Sequence, residues 1–168
     1  MSNICLSQGC FRSERRLNME INGFGKATID EINKLEKETG FILPDDYREF
    51  LMLCNGGKPV EYENGFSIEG SDEILMLKLL FGVGNTIKES LNIEHWIKIY
   101  EDEIPKKFIL PIGLPEGGGF ILLIRQKKEG VYFWDDTLML PKSNESNFMY
   151  KIANTFTEFI HKIEKKKY

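Results

Sequence analysis

Two adjacent carboxylates, Asp135 and Asp136, stand directly after Trp134 and are the first candidates for chemistry. General acid and base groups usually converge on a reacting atom from separate segments, so adjacency favours a turn in which aspartates bond nearby backbone. A metal at this pair would need several more oxygen ligands, and no other segment nominates them. The two histidines, His95 and His161, are equally unpromising. His161 lies among Glu158, Lys162 and Glu164, the pattern of a solvated helix face, and His95 beside Trp96 reads as structural. Clustered His and Cys at zinc spacing are missing, as is a serine in a Gly-x-Ser-x-Gly elbow. Glu116-Gly-Gly-Gly119 suggests a phosphate cradle, but such a cradle precedes a helix and often a Lys-Ser/Thr pair. A strand pattern follows here, so a flexible loop at a hairpin edge is the reading. The residues nominate no catalytic group, no metal and no cofactor, and an enzyme with an unrecognised carboxylate site around Asp135 and Asp136 stays open as a third reading.

A chain of 168 residues is the length of one domain, and 42% hydrophobic and 12% aromatic residues suffice for a core. The formal charge of -4 offers no electrostatic case for nucleic acid and suits a basic partner. Apolar runs such as residues 121–124 are far too short to span a bilayer. The N-terminus lacks an apolar stretch of signal-peptide length, so a cytoplasmic location is expected. Three cysteines without a CxxC pair argue against a disulfide framework, and Cys54 reads as a buried thiol.

The elements that would position any site begin at Thr28. Thr28-Ile-Asp-Glu31 has capping-box spacing, Ile29, Ile32 and Leu35 form a stripe, and Gly40 stops the helix. In the next segment Pro44 suits a first turn, and Asp45 and Asp46 suit the helix dipole. Tyr47, Phe50, Leu51 and Cys54 share a face, and Asn55-Gly56-Gly57 ends the helix. Phe66 to Ile68 reads as a short strand, and residues 72–81 are ambiguous between strand and helix. Residues 85–100 read mostly as helix. Residues 108–112 read as a strand ended by Gly113. Residues 119–125 form a central strand returning through residues 131–134. Tyr132 and Trp134 alternate with Val131 and Phe133, so one face packs while the other presents aromatics. A last helix is expected from about Asn147, through Phe148, Ile152, Phe156, Phe159, Ile160 and Ile163. The order implies an α+β fold, a single domain with a mixed, mainly antiparallel sheet flanked by helices. Residues 1–26 read as a poorly ordered or irregular arm before a domain at 27–168.

Several of these signals fall in a familiar order. Gly40-Phe-Ile-Leu-Pro-Asp-Asp-Tyr-Arg-Glu-Phe-Leu51 followed by Asn55-Gly-Gly-Lys-Pro59 resembles the opening motif of the SUKH superfamily. Ile109-Leu-Pro-Ile-Gly113, Gly118-Gly-Phe-Ile-Leu122 and Gly130-Val-Tyr-Phe-Trp-Asp135 resemble its sheet motifs. The superfamily includes fungal cell-wall synthesis regulators and bacterial toxin-immunity proteins. One departure is Gly119, where family members often carry a polar residue.

The resemblance implies a non-enzymatic, intracellular immunity protein that binds a cognate toxin of nuclease or deaminase type and neutralises it by occlusion. The alternative is a cytosolic regulatory or scaffold domain of the cell-wall regulator type. The implied partner is a protein toxin with a basic active-site surface, with no direct nucleic acid and no membrane. Glu61, Tyr62 and Glu63, after the glycine turn, are expected contacts, together with Tyr132, Trp134, Asp135 and Asp136. Aromatics anchor interfaces, and acidic groups steer a basic partner.

Overall fold

The computed structural model describes residues 3–5, 20–60, 64–84 and 87–165. Glu61, Tyr62 and Glu63 lie outside the described residues.

The first helix, α1 (Ile29–Thr39), starts where its sequence directs. The Thr28 hydroxyl accepts from the Glu31 N–H at 3.1 Å, and the Glu31 carboxylate accepts from the Thr28 N–H at 2.9 Å. Gly40, at φ 75°, closes it. In α2 (Asp45–Cys54), Tyr47, Phe50, Leu51 and Cys54 are all buried. Pro44 precedes the first turn rather than occupying it. Asp46 does more than complement its own dipole. Its Oδ2 accepts from the N–H and the hydroxyl of Thr157, both at 2.9 Å, tying α2 to α4 (Phe156–Lys162). Tyr47 and Phe50 of α2 then pack on Phe156, with ring centroids 4.9 and 5.0 Å apart. Cys54 is buried as expected, but it is disulfide-bonded, which corrects the thiol reading. An odd cysteine count excludes complete pairing and not a single bridge.

Two sheets carry the rest. The smaller joins β1 (Asn3–Cys5), β2 (Ile21–Gly23) and β3 (Lys58–Pro59). Ile21–Gly23 was expected in an irregular arm; a three-residue strand is too short to show alternation. The larger sheet follows the order β10-β4-β5-β6-β7-β8-β9, and each of these neighbouring pairs is antiparallel. Its strands are β4 (Asn64–Ser67), β5 (Ile74–Leu80), β6 (Ile109–Pro115), β7 (Phe120–Ile124), β8 (Gly130–Trp134), β9 (Met149–Ala153) and β10 (Glu164–Lys165). The sheet curls far enough for the Glu69 N–H, beyond β4, to donate to the Lys151 carbonyl on β9 at 2.8 Å. This is the expected α+β fold.

The β7–β8 hairpin is central, as expected. Phe120, Ile121, Leu122 and Leu123 are each at most 5% exposed, so β7 is covered on both faces. In register, Phe120 lies opposite Trp134 and Ile121 opposite Phe133. The Phe120–Trp134 face meets α3 (Ile93–Ile99) through Trp96, whose ring lies 5.3 Å from that of Phe120.

Three element boundaries differ from the sequence reading. The helix expected over residues 85–100 contracts to a 3₁₀ turn at Glu89–Leu91 and α3. Asn92 caps α3, its side chain accepting from the Glu94 N–H at 2.8 Å. The strand expected to end at Gly113 runs on to Pro115, because a register shift between Pro111 and Gly113 absorbs the glycine. The last helix does not begin near Asn147. Residues Met149–Ala153 are β9, paired with β8, and Thr155 caps the short α4 that follows. Tyr150 and Ile152 alternate inward, a period of two hidden inside the apparent helical spacing.

Candidate functional site

Between β8 and β9 the chain makes a long loop, residues 135–148, organised by one carboxylate. Asp135 is 0% exposed. Its Oδ1 accepts from the Met139 N–H at 2.9 Å, and its Oδ2 from the Leu140 N–H at 2.8 Å and the Ser143 hydroxyl at 2.5 Å. Ser143 also shares a hydrogen bond with the Tyr150 hydroxyl at 2.8 Å. The Asp135 N–H donates to the Phe148 carbonyl at 2.8 Å, closing the base of the loop. Burial alone would raise the Asp135 pKa. The bonds from Ser143, Leu140 and Met139 outweigh it and hold the carboxyl below the usual aspartate range. Asp135 is thus the loop's anchor, buried and saturated, which withdraws it from the expected contact set.

Asp136 is half-buried and behaves oppositely. Burial and the neighbouring Asp135 charge raise its pKa, against lowering bonds from its own N–H and that of Thr137. Its Oδ1 is buried without a hydrogen-bond partner. Adjacent carboxylates are thus driven apart, one by donors and one by desolvation. Tyr132 is only 8% exposed, and its hydroxyl donates to the Lys128 carbonyl at 2.8 Å, so it is a packed residue rather than a presented one. Trp134 is half-buried against Tyr100 and Phe120, with centroids 5.3 and 5.7 Å away, and offers only part of its ring.

The large apolar side chains the loop exposes are Leu138, Met139 and Phe148, at 41%, 49% and 38% exposure. The sequence reading missed them. An apolar run, Leu138-Met-Leu140, inside an otherwise turn-like stretch was the available signal. Leu138 is held at φ 55°, a left-handed conformation that costs a leucine roughly 1–2 kcal/mol. Met139 reaches the glycine loop after β6: a Cβ on Gly118 would lie 3.2 Å from its terminal methyl. Gly119, at φ 81°, packs directly beneath the Phe133 ring, with no space for a Cβ. That accounts physically for the glycine at a position where a polar residue was expected.

His95 and His161 are not joined to this loop. His95 Nδ1 is 3.3 Å from the Glu89 carboxylate, and its ring meets Trp96 edge-on at 5.1 Å. His161 is half-buried, with Nε2 enclosed and unpartnered, which corrects its placement on a solvated face. Among the described residues, no group of three or more His, Cys, Asp or Glu side chains is placed to hold a metal ion. No helix among them is long and apolar enough to cross a membrane.

The sheet and the turn motifs that frame this loop match a known family. The model of the SMI1 / KNR4 family (SUKH-1) aligns with residues 26–162. The chain belongs to this family. SUKH-1 proteins include immunity proteins, are generally non-catalytic and commonly bind protein toxins. The chain is also similar to the SPbeta prophage-derived uncharacterized protein YokK of Bacillus subtilis (strain 168). The two are 26% identical over 148 residues, covering 79% of this chain and 72% of the relative. In SUKH-1 terms, the Asn55-Gly56-Gly57 turn of the opening motif serves the fold. The Asn55 side chain bonds both polar backbone groups of Val83, joining α2 to the end of β5.

Proposed function

We propose that this SUKH-1 protein is an intracellular immunity protein that binds a protein toxin of nuclease or deaminase type and blocks its active site by occlusion. The family match over residues 26–162 carries this reading. The prophage origin of its Bacillus relative is in keeping with it, since mobile elements carry genes that arm or protect a host. The net charge of -4 favours a basic partner, and toxins that cut nucleic acid need basic surfaces to hold phosphates. Occlusion requires only a rigid surface, and the curled sheet with its anchored 135–148 loop supplies one. Trp134 and Asp136 remain contact residues in this reading, and Glu61, Tyr62 and Glu63 stay with them as residues to be tested.

The experiment is co-expression of this chain with a candidate toxin domain, the variable C-terminal domain of a large secreted protein where one is encoded beside its gene, scored by survival, followed by titration of the purified pair. Neutralisation by stoichiometric binding, with a Kd at or below about 1 nM, or about -12 kcal/mol, is expected. Survival without a complex, or a complex that leaves the toxin active, would reject occlusion.

A further inference from the structure

We infer that the 135–148 loop, which exposes Leu138, Met139 and Phe148, is the docking surface for a basic protein partner; this rests on the immunity reading above. Three observations converge on it. The first is apolar exposure: three large side chains from one loop are each more than a third exposed. Exposed apolar groups gathered at one place mark interaction sites more often than scattered ones do.

The second is backbone strain combined with rigidity. Leu138 sits at φ 55°, although a glycine or asparagine would adopt that conformation more readily. The loop holds it there through the buried Asp135 carboxylate, which binds the Met139 and Leu140 N–H groups. The leucine is therefore presented by a preorganised loop, and little ordering remains to be done on binding.

The third is charge, and it selects the occupant. Lys142 is the one basic residue in 135–148, against the half-buried Asp136 and the exposed Glu145, Asp135 being buried. Glu116 is exposed at the start of the glycine loop that touches Met139. Glu101, Asp102 and Glu103 are exposed directly after Tyr100, whose ring meets that of Trp134 edge-on at 5.3 Å. Burial first, and then the nearby charges of Asp136 and Glu103, raise the Tyr100 pKa. An apolar centre with an acidic rim fits a basic surface. A second copy of this chain would bring acidic rim against acidic rim, which disfavours self-association.

The test uses the full chain and a catalytically inactivated form of that candidate toxin domain, followed by stopped-flow or surface-plasmon kinetics. Leu138→Gly relieves the backbone strain, so its melting temperature should equal or exceed that of the parent while dissociation accelerates about tenfold or more. The double variant Glu103→Lys, Glu116→Lys should associate about tenfold more slowly at low salt, with the difference vanishing near 0.5 M salt. Parental kinetics in both folded variants would overturn the surface while leaving the immunity reading intact. Failure of the parent chain itself to bind would overturn that reading and this surface with it. Sedimentation showing a dimer that Leu138→Gly dissociates would also overturn the proposal, because a second copy would then occupy the face.

Discussion

Asn55 and Val83, 28 positions apart, exchange two hydrogen bonds through a single side chain. The Asn55 amide donates to the Val83 carbonyl at 2.9 Å, and its oxygen accepts from the Val83 N–H at 2.8 Å. Asn55 itself is left-handed (φ 45°) and 2% exposed, and its backbone N–H closes α2 on Leu51. One residue thus terminates a helix and satisfies the buried backbone beyond a strand. Asn55→Ala leaves both Val83 groups buried without partners, which should cost about 2–4 kcal/mol. Urea denaturation should show a lower midpoint with unchanged slope; a midpoint within error of the parent would show that water replaces the amide.

The next residue in the turn tests close approach against conformation. A Cβ on Gly56 (φ 79°) would lie 2.6 Å from the Leu80 carbonyl oxygen, whereas Gly70 (φ 83°) has nothing within 4 Å. Gly70→Ala should therefore cost only the left-handed penalty, about 1–2 kcal/mol. Gly56→Ala should cost clearly more, and Gly56→Val more again, because β5 must move. Equal melting temperatures for Gly56→Ala and Gly70→Ala would contradict the packing of α2 against β5.

Asp135 makes stability depend on acid. Its folded pKa is depressed, so its contribution is full above the ordinary aspartate value and is lost as pH falls through the lowered folded value. Asp135→Asn should cost about 2–3 kcal/mol at pH 7, since hydrogen bonds to a charged group are lost or mispaired. It should also flatten the acid limb of the stability profile. An unchanged acid limb would assign that dependence elsewhere.

Glu94 should act in the opposite sense. Burial raises its pKa, with Glu38 adding and its own N–H, the Gly84 N–H and Lys34 opposing. Its Oε2 is enclosed without a partner, while Oε1 accepts from the Gly84 N–H at 3.3 Å. For an acid with a raised folded pKa, stability is greatest below the ordinary glutamate value and falls as pH rises through the folded one. Glu94→Gln keeps the acceptor and removes the charge. It should melt higher than the parent at pH 7, and the gap should close toward pH 4. A lower melting temperature at pH 7 would show that the charge is stabilising.

Local signals in the sequence were enough for whatever is set within a few residues. The α1 capping box, the Gly40 stop, the buried face of α2 and the β7–β8 hairpin depend on backbone geometry and on periodicities of 3.6 and 2. Aspartates after a strand were legible as turn formers for the same reason. Elements whose partners are distant were not legible. Residues 148–153 show helical spacing, yet pairing with β8 draws Met149–Ala153 into the sheet, because a strand edge supplies ladder bonds that a short helix cannot match. Nothing local separates Asp135 from Asp136. Tertiary structure surrounds one with the Ser143, Leu140 and Met139 donors and partly buries the other beside that charge, so equal side chains acquire opposite pKa shifts. It likewise packs Tyr132 away and presents Leu138, Met139 and Phe148, because exposure depends on what the rest of the chain brings alongside. Spacing along the chain specified which residues could share an element; only the closure of the sheet decided which of them meet solvent.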